Sequence, residues 1–171
     1  MNNKQIALNE AYDHYGNTLI RYATSITLNK QDAEDVVQEV FITAYEKLNT
    51  FDGENLRAWL YKITYNKCIN LVKRRKFKFV VNSQEALEKL VQPYVNETSE
   101  ELLQCLAKLK PEDRALLYSR VFDNSSYEII SKQTGKTEAA LRKKYERIKN
   151  KLKNMLDETT IAKQEVETCK I

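Results

Sequence analysis

With 3 glycines and 2 prolines in 171 residues, this chain holds almost none of the residues that close tight turns. A strand-rich fold needs a turn roughly every ten residues, so the scarcity argues for helices. The apolar pattern agrees. Leu8, Tyr12, Tyr15, Leu19, Tyr22 and Ile26 recur at spacings of three and four, one stripe of a helix over about Lys4 to Leu28. Asn29 is placed to cap a second helix whose stripe is Ala33, Val36, Val37, Val40, Ala44 and Leu48, with a break around Asn49 to Gly53. The opposite face, Asp32, Asp35, Gln38, Glu39 and Glu46, reads as an exposed acidic strip. A third helix, about Asn55 to Arg75, turns Leu56, Leu60, Ile63 and Leu71 inward and ends in Lys73-Arg74-Arg75-Lys76.

Periodicity stops over 77–98, which contains Pro93 and reads as a flexible linker with room for one helical turn around Glu85–Leu90. At ~3.3–3.6 Å per residue the linker reaches about 75 Å when extended. Two turns of duplex DNA span about 70 Å, so it is long enough to set two modules two turns apart. The pattern resumes with Leu102, Leu106 and Leu109, and Pro111 opens a further helix at a position where its missing N–H goes unneeded. Ser125 and Glu128 have the spacing of a capping box for a short helix, Ser126 to Gln133, that stops at Gly135. Thr137 is placed to cap a last long helix with Leu141, Tyr145, Ile148, Leu152 and Met155 inside and Arg142, Lys143, Lys144, Arg147 and Lys149 outside. A capped short helix, a glycine turn and a basic capped helix make a helix-turn-helix. The expected fold is therefore all-α: two small helical domains over 1–76 and 99–156, the linker between them, and a polar, disordered tail over 157–171.

The net charge of +4 hides an asymmetry. Arg57 to Lys78 holds eight Lys/Arg and no acid, and Lys136 to Lys153 holds eight Lys/Arg with Glu138 and Glu146. Those stretches carry +8 and +6, leaving −10 for the rest. Two basic stretches in an acidic body point to a polyanion met at two places. Cys68, Cys105 and Cys169 form no CxxC pair and His14 is the lone histidine, which leaves no zinc site and little raw material for catalysis. No apolar run approaches the ~20 residues of a membrane span, and MNNKQIALNE lacks the apolar core of a signal peptide. The expectation is a cytoplasmic, non-enzymatic protein with reduced thiols, no cofactor, no small-molecule substrate and no membrane insertion.

At this point the sequence resembles a known family. DAEDVVQEVFITAYEKL (32–48) is similar to region 2.2 of extracytoplasmic-function sigma factors, and NTFDGENLRAWLYKITYNKCINLVKRRK (49–76) to their regions 2.3 and 2.4. The segment from Leu106 to Leu156, with its helix-turn-helix, is similar to their region 4. The likeness runs over roughly 8–156 in the family's order, and three motifs together are far more specific than any one. It implies an RNA polymerase sigma factor that binds core polymerase, recognises −35 and −10 promoter elements and helps open DNA. By resemblance, Glu34, Asp35, Gln38, Glu39 and Phe41 would dock on the β′ coiled coil of core polymerase, with further contacts to β. Carboxylates suit such a basic helical partner.

The loop from Asn49 to Asn55 matches the family's base-capturing loop, and Tyr61, Tyr65 and Asn66 are candidates to hold a flipped base. Arg57, Lys62, Lys67, Arg74 and Arg75 are candidates for phosphates. Trp59 and the tyrosines fit packing as well as stacking. In the last helix Thr137, Glu138, Ala139, Arg142, Lys143 and Glu146 would face −35 bases, with Lys144, Arg147 and Lys149 on phosphates. Ile130, Ala140 and Asn70 depart from the family's usual residues, so a family average does not give the promoter sequence. The resemblance also implies an anti-sigma factor as regulator. A helix-turn-helix regulator acting alone would leave the region 2.2-like strip unexplained, and an RNA-binding adaptor would explain the charge and neither motif.

Overall fold

The computed structural model describes residues 3–75 and 100–168. Among them are seven helices: α1 (Asn3–Thr27), α2 (Lys30–Lys47), α3 (Leu56–Arg75), α4 (Glu100–Ala107), α5 (Pro111–Val121), α6 (Tyr127–Thr134) and α7 (Glu138–Thr168). A 3₁₀ turn at Leu48–Thr50 follows α2, and no strand occurs among the described residues. None of their helices is long and apolar enough to cross a membrane. The 77–98 linker, its helical turn and Cys169 lie outside the described residues.

Helix α1 stops where Leu28 enters left-handed backbone, φ 54°. That conformation costs an L-residue about 1–2 kcal/mol, which burial of the Leu28 side chain offsets. The next residue, Asn29, caps α2 as its position implied, its side chain accepting from the Asp32 N–H at 3.0 Å. The expected stripes then close on one another. Leu19, Tyr22, Ile26, Val36, Val37, Val40, Ala44, Leu60 and Cys68 form one core. Burial pushes the Cys68 thiol up to about 12. Leu109, Leu116, Ile130, Leu141 and Ile148 form a second core between α5, α6 and α7.

Three local expectations are corrected. Asp32 does not belong to the exposed acidic strip: it is buried at the start of α2 and ion-paired with Arg75. Ser126, not Ser125, caps α6, accepting from the Ile129 N–H at 3.2 Å, while Gly135 ends the helix at φ 71° as expected. Helix α7 runs on to Thr168 through the segment read as a disordered tail. Nothing in 157–168 breaks a helix: glycine and proline are absent, and Ala, Glu, Lys and Gln are good helix formers.

The largest difference from two modules on a string is that the halves pack together. Tyr118 of α5, with Ala115 and Leu103, joins the core of α1–α3, its ring 5.8 Å from that of Tyr22. Above it sits Arg114, buried on the inner face of α5. Its Nε donates to the Ser25 carbonyl at 2.7 Å, one Nη to Ile26 at 2.6 Å and the other to Leu109. The last carbonyls of a helix have no partner within it, so α5 supplies a cap for α1 from the other half of the chain. Burial lowers the Arg114 pKa to about 10, which keeps it cationic at neutral pH. Arg114→Met should leave three carbonyls unpaired in a dry interface and reduce unfolding free energy by about 3 kcal/mol. Urea unfolding at neutral pH measures this, and a loss below roughly 1 kcal/mol would mean the guanidinium does not hold the joint.

Candidate polymerase and nucleic-acid interface

Helix α2 turns its valines inward and leaves Asp35, Gln38 and Glu39 exposed. Asp35 accepts from the Gln31 amide at 3.4 Å, Glu39 pairs with Lys67 at 3.1 Å, and the half-exposed Glu34 pairs with Lys30 at 3.3 Å. Phe41 is half-buried, its ring meeting Tyr12 edge-on at 5.0 Å. Ile42, 60% exposed, and Tyr45, 49% exposed, add apolar surface that the sequence reading did not single out. A face of this kind, carboxylates beside uncovered apolar side chains, suits a protein partner with a basic, amphipathic surface.

The connection from α2 to α3 is built from short-range polar bonds. Thr50 donates to the Lys47 carbonyl at 2.8 Å, the Asp52 carboxylate accepts from the Glu54 N–H at 3.0 Å, and Gly53 takes φ 83°. Asn55 caps α3 by accepting from the Ala58 N–H at 3.0 Å. Phe51 then stacks on Trp59, centroids 4.7 Å apart and planes at 27°. So Trp59 has a packing partner while also lining a cleft of about 340 Å³ with Phe51, Asp52, Glu54, Asn55 and Lys62. Lys132 of α6 closes its other side. Asn49, Lys62, Asn66, Arg74 and Arg75 are exposed, and Arg57 and Lys67 half-buried.

Tyr61 and Tyr65 are buried in this arrangement, packed in the core of α1–α3. The Tyr61 hydroxyl donates to Asp123, in the turn after α5, at 2.6 Å, and Arg57 pairs with the same carboxylate at 3.6 Å. Burial first and the neighbouring carboxylate second push the Tyr61 phenol well above its ordinary value, so it remains a donor. Burial raises the Asp123 carboxyl, while the Tyr61 hydrogen bond, Arg57 and Arg21 pull it back. Asp123 and Arg114 were missed by sequence reasoning. Asp123 lies in a turn and looks like turn chemistry, but Arg114 left a signal: it stands four residues before the buried Tyr118, on the apolar face of α5.

In the second half, Thr137 caps α7 by accepting from the Ala140 N–H at 3.3 Å. The helix exposes Ala139, Arg142, Lys143, Glu146, Arg147 and Lys149, with Glu138 half-exposed. Arg142 pairs with Glu138 at 3.2 Å and Lys149 with Glu146 at 2.8 Å. Lys144 turns away from this face to meet Asp113 of α5 at 2.6 Å. The structure thus gathers the exposed residues of the α7 set on one face, without Lys144, and packs α6 directly against α3. No group of His, Cys, Asp or Glu among the described residues could hold a metal ion.

Known proteins account for this arrangement. The family model for sigma-70 region 2 matches residues 11–78, and that for sigma-70 region 4 matches 99–152. The RNA polymerase sigma factor YlaC of Bacillus subtilis is 32% identical over 138 residues, 75% of this chain and 80% of its own. The ECF RNA polymerase sigma factor SigM of the same organism is 32% identical over 87 residues, 51% of this chain and 53% of its own. The solved structure of CnrH in complex with the cytosolic domain of CnrY matches with TM-score 0.69 and 25% identity, over 90% of this chain and 89% of that one. The chain belongs to the sigma-70 family of RNA polymerase sigma factors, within its extracytoplasmic-function group. Its partners are accordingly core RNA polymerase and promoter DNA.

One contact of the joint can be tested by itself. Tyr61→Phe removes the donor at 2.6 Å and leaves the buried Asp123 carboxylate with Arg57. Chemical denaturation should show a loss of about 1–2 kcal/mol, with the helical signal unchanged. No loss would mean the hydroxyl is as well served by water.

Proposed function

We propose that this sigma factor works through three surfaces. The exposed face of α2, Glu34, Asp35, Gln38 and Glu39 with Phe41, docks on the β′ coiled coil of core polymerase. The 49–55 loop and the basic face of α3 take the −10 element: the cleft beside Trp59 holds an unstacked base, Lys62 and Asn66 face it, and Arg57, Lys67, Arg74 and Arg75 meet phosphates. The N-terminal half of α7 takes the −35 element, with Thr137, Glu138, Ala139, Arg142, Lys143 and Glu146 toward base edges. Lys144, Arg147 and Lys149 meet the backbone there. The chain acts by binding alone, in the cytoplasm, and leaves bond-making to core polymerase. The family resemblance implies control by an anti-sigma factor, the kind of partner with which the structurally similar RpoE of Bartonella quintana was solved.

The two DNA surfaces must sit about 70 Å apart if the elements lie two turns from one another. With α6 packed on both α3 and α7, the two helices that carry them are held one helix apart. We therefore read the packed arrangement as the free form, and the halves part when holoenzyme meets a promoter. A dye pair on Asn70 and Lys151, exposed residues of α3 and α7 outside the three surfaces, measures this. Energy transfer should fall on assembly with core polymerase and promoter. Unchanged transfer would mean the promoter is read in the packed form.

The observation that carries the reading is the exposed acidic face of α2, which contributes nothing to the core behind it. Reversing Asp35 and Glu39 to Lys should leave the melting midpoint nearly unchanged, because exposed pairs such as Glu39–Lys67 are worth at most ~1 kcal/mol. Binding to core polymerase should weaken by several kcal/mol as attraction becomes like-charge contact. Run-off transcription with core polymerase alone reads the outcome: the wild type should initiate without another sigma factor, and the double variant should not. A folded double variant that initiates normally would remove α2 from the interface.

A further inference from the structure

Tyr127 opens α6 directly after the Ser126 cap and packs, half-buried, against the smaller core. Two neighbours fix its ring. The Arg120 guanidinium lies 4.6 Å from the ring centroid and is itself tied down, its Nη donating to the Ser125 carbonyl. Tyr145 meets the ring edge-on, centroids 6.4 Å apart and planes at 71°. Onto this fixed ring comes a third group, the guanidinium of Arg142, 4.5 Å from the centroid.

Arg142 is 62% exposed on α7, yet it is held at two points: by Glu138 at 3.2 Å on its own helix, and by the Tyr127 ring from another. A guanidinium is attracted to an aromatic face by the ring quadrupole. Reading a base edge requires the planar fork in one orientation, and a long side chain left free must be ordered at the moment of binding. A ring anchored through α5 and α6 supplies that order in advance. We infer that Tyr127 is a specificity-determining positioning residue for the upstream promoter element, its ring aiming the Arg142 guanidinium. The inference rests on the assignment of Arg142 to base reading.

The test uses holoenzyme assembled from the full chain and a promoter library randomised over the −35 element. Arg142→Ala identifies the base pair that Arg142 reads, as the position where preference is lost. Tyr127→Met, close in size and without an aromatic face, should cut discrimination at that same position roughly three- to fivefold, the size of an exposed cation–π contact. Preference elsewhere should be intact. Tyr127→Phe keeps the face and should keep the discrimination. Adding Tyr127→Met to Arg142→Ala should cost nothing further at that position. If Tyr127→Met lowers the melting midpoint, pentafluorophenylalanine at 127, similar in size with its quadrupole reversed, should show the same selective loss. A uniform fall in transcription with the −35 preference unchanged, or a loss shared by Tyr127→Phe, overturns the positioning role. An Arg142→Ala library with no altered position overturns the base-reading assignment and the inference together.

Discussion

The packed form of this protein turns on one buried cation. The carboxyl end of α1 carries carbonyls with no partner of their own and the negative end of the helix dipole. Arg114 reaches it from α5, the other half of the chain, and satisfies Ser25 and Ile26 with one guanidinium whose remaining arm holds Leu109. Burying a charge costs several kcal/mol unless hydrogen bonds offset it, and each of the three nitrogens here meets an acceptor. Its placement fixes how α5 lies on α1. That sets Tyr118 against Tyr22, brings the turn after α5 down to Tyr61, and lays α6 along α3.

Pairing within the folded chain, across the joint and inside each half, decides which charges remain available. Arg57, Lys67, Arg75 and Lys144 each pair with a carboxylate, Asp123, Glu39, Asp32 and Asp113 respectively. Lys62, Lys143 and Arg147 lie exposed, on α3 and α7. The net basic stretches read from the sequence are real, but part of their charge is neutralised within the folded chain. Composition counts charges and cannot say which of them meet one another.

Much of the fold was legible because it rests on local rules. Stripe spacing placed the helices, and Asn29, Thr137, Gly135 and Pro111 marked their ends through the backbone groups each can satisfy or spare. The errors had tertiary and local causes. Asp32 looked exposed on a helix wheel and is buried because Arg75, more than forty residues on, comes back to it. Ser125 and Ser126 stand side by side with the same cap chemistry, and only the backbone path selects the second. The tyrosines of α3 could not be assigned from the sequence, since an aromatic that packs and one that stacks on a base occupy similar positions in a motif. The joint itself was out of reach: Arg114 and Asp123 matter through residues 88 and 62 positions away.

The chemistry of the joint also bears on whether it can open. An interface made of apolar side chains would lose about 25 cal/mol for each Å² exposed, with nothing gained from water in return. Here, beside the apolar Leu103, Ala115 and Tyr118, part of what the joint buries is polar: a guanidinium, the Ser25 and Ile26 carbonyls, a phenol and a carboxylate. Parting returns them to water and recovers the desolvation cost of bringing them together, so the packed form can hold its geometry without holding it tightly. Phosphates act on the same balance. If α3 meets DNA as proposed, the backbone competes for Arg57, the cation that Asp123 now holds across the joint. Displacing Asp123 from Arg57 removes one of its partners across the joint and leaves the carboxylate to the Tyr61 hydrogen bond and Arg21. A single phosphate contact therefore weakens the closure as it forms, and binding DNA at one end favours exposing the surface at the other.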